Sequence, residues 1–157
     1  MAATLRPAVP LDAARIAEIL VDVRSAFMPY APLAYSPEDV RSWVAQFLVP
    51  SGGTVVAELN DTLVGVMAIE REASCSWITQ MAVDPFHVGI GIGTSLLQHA
   101  FRECPSPIRL YTFQANVGAR RFYERNGFRV VGLSDGRTNE ECCPDVLYEF
   151  GGRAPVT

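Results

Sequence analysis

Gly89, Gly91 and Gly93 stand two residues apart and directly before Thr94 and Ser95, in the stretch WITQMAVDPFHVGIGIGTSLLQHAF that runs from Trp77 to Phe101. The apolar run up to Asp84-Pro85 reads as a strand, and Thr94, Ser95, Leu96, Leu97, His99, Ala100 and Phe101 read as the opening of a helix. Strand, glycine loop and helix in that order make an anion site. Glycine lets the backbone approach a ligand closely, and the unbonded N–H groups at a helix start, with the positive end of its dipole, point at whatever the loop holds. A phosphate or pyrophosphate is the expected ligand. Spacing excludes two familiar phosphate loops: GxGxG is not the dinucleotide GxGxxG, the next strand ends at Thr112-Phe113 without a ribose acid, and no lysine follows the last glycine.

The other reactive side chains form no recognisable cluster. Cys75, Cys104, Cys142 and Cys143 show no CxxC spacing, and His87 and His99 are the only histidines, so zinc and a disulfide framework are not expected and the cysteines read as small reduced hydrophobes. With 157 residues and 49% hydrophobic content the chain is expected to form one domain, its core over about 5–150 and a loose tail over 151–157. The net charge of -4 carries no basic block, which argues against nucleic acid or an anionic membrane and suits a cationic small substrate. The start has no signal-peptide pattern and no run is long enough to span a bilayer, so a cytoplasmic location is expected.

Several elements must position the glycine loop. Leu5 to Val9 reads as a short strand, and Asp12 as the cap of a helix to about Arg24 with Ile16, Ile19, Leu20 and Val23 on its core face. Ser25 to Tyr35 is a loop, broken by Pro29 and Pro32, whose Phe27, Met28, Tyr30 and Tyr35 either line a pocket or pack on the core. Ser36-Pro37-Glu38-Asp39 starts a second helix with Val40, Trp43, Val44 and Phe47 at helical spacing. Thr54 to Leu59 and Leu63 to Glu70 form a hairpin through Asn60-Asp61-Thr62. Ser76 to Val83, the helix and Ile108 to Phe113 imply a right-handed parallel crossover with the two strands side by side. Asn116 caps a further helix that stops at Asn126-Gly127, and Phe128 to Leu133, the polar loop Ser134 to Pro144 and Asp145 to Phe150 complete the chain.

Val83-Asp84-Pro85, then Gly89-Ile90-Gly91-Ile92-Gly93-Thr94-Ser95-Leu96-Leu97, then a strand, then NVGARRFYERNGF from Asn116 to Phe128 together resemble the GNAT superfamily of acetyl-coenzyme A-dependent N-acetyltransferases. The resemblance covers nearly the whole chain. It implies an α+β fold: a central, twisted mixed sheet flanked by helices, with two parallel strands splayed to admit a pantetheine arm. The family's loop motif, Arg or Gln, two residues, Gly, one residue, Gly or Ala, falls on Val88 to Gly93; Gly91 and Gly93 match, and Val88 replaces the usual Arg or Gln. Backbone N–H groups of Val88, Gly89, Ile90, Gly91, Ile92, Gly93 and Thr94 can still hold pyrophosphate without that side chain.

By the same resemblance the co-substrate is acetyl-CoA, with no metal. Met81 is implied as the backbone oxyanion donor, Met81, Ala82 and Val83 as partners of the pantetheine amides, and Tyr123 as the acid for the departing thiolate. Asn116 touches the cofactor in the family and also reads as an ordinary helix cap; Arg120, Arg121 and Arg125 lie toward the phosphate end. The acceptor is implied to be a small-molecule or peptide primary amine, attacking directly in a ternary complex. Its proton requires a base or a water path. Glu70, Glu72, Glu140, Glu141 and Asp145 are all open as the base, and Gln80 can hold a water. A cationic acceptor is expected to meet Glu140, Glu141 or Asp145 beside Tyr30 or Tyr35. A coenzyme A-binding sensor without turnover is the alternative, and the resemblance leaves a homodimer open.

Overall fold

A computed structural model describes residues 2–151, so that 152–157 of the expected tail lie outside the described residues. In chain order the elements are β1 (Thr4–Pro7), α1 (Ala13–Phe27), α2 (Pro37–Trp43), β2 (Thr54–Leu59), β3 (Thr62–Arg71), β4 (Ser76–Val83), α3 (Ile92–Glu103), β5 (Ile108–Phe113), α4 (Val117–Arg125), β6 (Arg129–Ser134) and β7 (Asp145–Phe150). The strands form one mixed sheet in the order β1-β2-β3-β4-β5-β7-β6. All neighbours are antiparallel except β4 and β5. The α+β fold expected from the sequence is the fold observed.

Local chemistry explains the boundaries. Asn60 and Asp61 take left-handed backbone, φ 52° and 61°, which two-residue hairpin turns require, so β2 and β3 close on each other one residue earlier than expected. Ser36 Oγ accepts from the Asp39 N–H at 3.1 Å, and Pro37 occupies the first turn of α2, as its sequence predicts. Asp12 takes the expected N-cap position of α1, but its side chain makes no capping bond. Its carboxylate turns inward, only 8% exposed, and accepts from Arg6 Nη1 and Nη2 at 2.7 and 2.9 Å and from the Val9 N–H at 2.8 Å. After Trp43 the backbone widens into a π-type turn over Val44–Leu48. Val44 and Leu48 stay buried there, while Trp43 and Phe47 are left 40% and 64% exposed.

Two cores lie on opposite faces of the sheet. Leu96 and Leu97 of α3 and Tyr123 of α4 pack with Met67, Ile108, Leu110 and Tyr148 on one face. Ile16 and Ile19 of α1 and Val40 of α2 pack with Val56, Val66 and Ala82 on the other. Between those faces β4 and β5 are joined only at Ser76–Ile108 and Trp77–Arg109. The expectation of strands lying side by side therefore holds at their base alone, and beyond it they part, as the family resemblance implied.

Candidate active site between the parted strands

The edges of the gap follow from hydrogen-bond alternation. Residues of an antiparallel pair alternate between bonding their partner strand and facing away from it. The Asp84 N–H donates to Val64 O at 2.8 Å, so Ala82 and Gln80, in the same register, bond β3 while Met81 and Val83 turn their backbone groups toward the gap. On the facing strand the Gln114 N–H donates to Pro144 O at 2.9 Å. Thr112 and Leu110 therefore bond β7, and Tyr111 and Phe113 face the gap. The sheet thus opens into a cleft with backbone donors and acceptors on both rims. Its volume is about 1560 Å³, beyond the roughly 300–1,000 Å³ of ordinary small-molecule pockets.

The glycine loop closes one end. Gly89 and Gly91 take φ of 78° and 91°, which side-chain-bearing residues resist, and Gly91 forms the N-cap of α3. The helix starts at Ile92, two residues before the expected opening at Thr94. Its first bonded amide is Ser95, which donates to Gly91 O at 3.0 Å, so the N–H groups of Ile92, Gly93 and Thr94 are the free ones of the helix start. Gly93 has ordinary backbone but a different constraint: a Cβ there would meet Phe122 Cζ at 3.0 Å. Val88, Gly89, Gly91, Ile92, Gly93 and Thr94 line the cleft, whereas Ile90 is 57% exposed and not among its lining residues. His87 is half-buried, with Nδ1 2.7 Å from Oδ2 of the buried Asp84.

From α4, Tyr123 reaches the cleft wall with only 7% of its surface exposed, and burial pushes its phenol above the usual tyrosine range. Asn116 caps α4 by accepting from the Ala119 N–H at 3.2 Å and also lines the cleft. Arg120 does not. Its Nε donates to the Tyr148 hydroxyl at 3.1 Å and its Nη1 to Gln114 O at 3.4 Å, because Tyr148, held by Glu124 at 2.6 Å, offers it a partner on the β7 side. Arg125 lines the cleft instead, its guanidinium carbon 5.9 Å from the centre of the Phe122 ring.

The opposite end, toward α1 and α2, joins expected pocket candidates with Arg24, Leu33, Trp43 and Phe47, which the sequence did not mark for it. Arg24 lies over Phe113 at 5.4 Å and donates to Ala31 O at 2.9 Å and Glu141 Oε1 at 3.2 Å. Phe27, Met28, Leu33, Trp43 and Phe47 line the same end. The helical repeat that placed Trp43 and Phe47 beside Val40 is the same for a core face and a cleft face, so it carried no sign of their exposure. Tyr35 donates to Glu140 Oε1 at 3.0 Å, and that bond raises the phenol's pKa. Tyr30 packs edge-on against Phe113 at 6.2 Å and is not a lining residue. Asp145 Oδ2 accepts from Asn139 Nδ2 at 3.2 Å, while its Oδ1 is buried without a hydrogen-bond partner. Gln80 and Met81 lie on the wall between the two ends, and Glu70 and Glu72 are not among the lining residues.

The profile of the Acetyltransferase (GNAT) family matches residues 20–128. Among solved structures, apo YjaB from Escherichia coli is 22% identical with a TM-score of 0.76, covering 98% of this chain and 100% of its own. The paiA N-acetyltransferase of Thermoplasma acidophilum, in complex with coenzyme A, is 21% identical with a TM-score of 0.73, covering 96% of this chain and 99% of its own. Naa50 of Arabidopsis thaliana, in complex with the bisubstrate analogue CoA-Ac-MVNAL, is 21% identical with a TM-score of 0.72, covering 97% of this chain and 100% of its own. A search of curated proteins finds no match.

Proposed function

Because the chain belongs to the GNAT acetyltransferase family and is an acyltransferase, we propose that it transfers the acetyl group of acetyl-CoA to a primary amine of a small molecule or peptide, by direct attack in a ternary complex. The observation that carries this reading is the parting of β4 from β5 beyond Trp77, which turns the backbone of Met81 and Val83 to a gap flanked by the start of α3 and by Tyr123. The residues present fit the co-substrate. Main-chain N–H groups of the cleft-lining loop residues between Val88 and Thr94 take the pyrophosphate, Met81 and Val83 pair with the pantetheine amides as a strand would while Ala82 stays bonded to β3, and Asn116 and Arg125 stand on the cleft wall. The coenzyme A and bisubstrate complexes of the two relatives support this assignment.

Acetyl-CoA supplies an acetyl thioester. The acceptor arrives protonated, since a lysine-type amine has a reference pKa of about 10.4, and must lose a proton before its nitrogen attacks. Gln80 holds a water that carries this proton away. The Met81 N–H donates to the carbonyl oxygen as negative charge gathers on it, and Tyr123 gives its phenolic proton to the sulfur as the C–S bond breaks. The second nitrogen proton then restores the phenol. Burial keeps the Tyr123 phenol protonated and makes it a weaker acid, so its proton moves only as negative charge develops on the departing sulfur.

Calorimetric titration with acetyl-CoA tests the premise, and Tyr123→Phe tests the chemistry. That variant should bind acetyl-CoA within about twofold of the natural chain and lose roughly 10²-fold in kcat. Binding with no transfer to any amine would instead identify a coenzyme A-binding sensor.

A further inference from the structure

We propose that the acceptor is a primary amine carried on an apolar, aromatic-sized body, with its ammonium received by Asp145 Oδ1. The amine class rests on the acetyl-transfer reading, and two independent observations narrow it. The first is the state of the carboxylates. Glu140 is taken by Tyr35, Glu141 by Arg24, and Asp145 Oδ2 by Asn139. Asp39 stands exposed on α2 at the rim. Asp145 Oδ1 alone is buried and without a donor among the described residues. An unpartnered buried carboxylate oxygen is unfavourable, and a cationic N–H donor from a ligand relieves it.

Its place in the sheet puts this oxygen at the reacting level. Phe113 is four residues beyond Arg109, the last β5 residue paired with β4, and Met81 is four residues beyond Trp77, the partner of Arg109. Asp145 lies directly opposite Phe113 in the β5–β7 pair. Residues so opposed share a face of the sheet. That face is the one bearing Arg24 of α1, which lies over Phe113. Tyr123 packs in the core on the other face. The acceptor thus comes from the α1–α2 side toward a thioester held from the α3–α4 side.

The second observation is the wall on the acceptor's side. Phe27, Trp43 and Phe47 are 44%, 40% and 64% exposed and line the cleft together with Met28 and Leu33. Exposed aromatics gathered in one concave surface are a binding surface for an apolar group. A polyamine finds no second buried, unpaired carboxylate here, since Glu140 is exposed and Glu141 pairs with Arg24. One ammonium at Asp145 and one apolar body on the wall match both features.

The test is calorimetry on the full chain loaded with coenzyme A, using 2-phenylethylamine, ethylamine, spermidine and 2-phenylethanol as probes. The expected result is a Kd for 2-phenylethylamine at least tenfold below that of each other probe. Asp145→Asn should raise that Kd at least tenfold while leaving coenzyme A affinity within twofold. Phe47→Ala, at a side chain outside both cores, should raise it at least threefold and leave ethylamine unchanged. Spermidine binding more tightly, or Asp145→Asn binding 2-phenylethylamine like the natural chain, would overturn the proposal. Acetyl transfer is read separately with acetyl-CoA: transfer without aromatic preference overturns this inference alone, whereas Asp145-dependent binding without transfer supports it and overturns the proposed reaction.

Discussion

Asp12 illustrates how a single buried carboxylate ties local sequence to stability. Spacing alone makes it a helix cap, because Asp before an apolar stripe is what a cap looks like. The structure gives it Arg6 instead, six residues earlier, a partner no local pattern announces. The hydrogen bonds from Arg6 hold the Asp12 carboxyl below the usual carboxylate range. A depressed pKa means that the unfolded chain binds more protons near pH 4, so this stabilisation is present above about pH 3.9 and fades as pH falls through the folded value. Arg6→Ala should therefore cost about 2 kcal/mol at pH 7, in the middle of the range for a hydrogen bond to a charged group because Arg6 is a third exposed. Urea denaturation at pH 7 and pH 3 measures it, and an equal loss at both values would show that the carboxylate is not the cause. Tyr123 was legible on different terms: FYERNGF carried it, and nothing about its own position could have separated a buried core tyrosine from one on a cleft wall.

The glycine loop was readable because its chemistry is local, and its details were not because they depend on neighbours. Composition placed the loop and the helix after it, yet the helix begins at Ile92 since Gly91 itself caps it in left-handed backbone. The need for Gly93 comes from Phe122 of another helix, a contact beyond any window of sequence. These two glycines should fail differently when replaced. Gly91→Val forces a β-branched residue to φ 91°, a strain of about 1–2 kcal/mol or more, and should weaken acetyl-CoA binding at least tenfold by calorimetry. Gly93→Val presses on Phe122, the neighbour of Tyr123, and should lower kcat as well as affinity. Val88→Ala should leave the Kd within twofold, because its position contributes a main-chain N–H; a tenfold loss there would assign the valine side chain a role of its own. Trp43 and Phe47 were the elements' hidden residues, since their helical repeat with Val40 and Val44 reads as a core face, yet both stay exposed on the cleft wall.

At the scale of the whole molecule the functional feature is a missing set of hydrogen bonds. The β2–β3 hairpin and the β4–α3–β5 crossover follow from the sequence pattern and the splay of β4 from β5 from the family resemblance, whereas the place of β7 between β5 and β6, and the residue at which pairing stops, Trp77, are set by tertiary packing. A protein normally pairs its buried backbone groups, so donors left open along a central strand are expected to find a ligand. Amide hydrogen exchange tests this strand by strand. In the free protein the Met81 and Val83 amides, turned to the gap, should exchange much faster than those of Gln80 and Ala82, which bond β3. Adding coenzyme A should slow Met81 and Val83 and leave Gln80 and Ala82 as they were, because a pantetheine arm laid in the gap replaces the strand that β5 does not provide. Uniform slowing across β4 would mean a general tightening of the fold, and unchanged exchange at Met81 would mean that the arm does not pair with this strand.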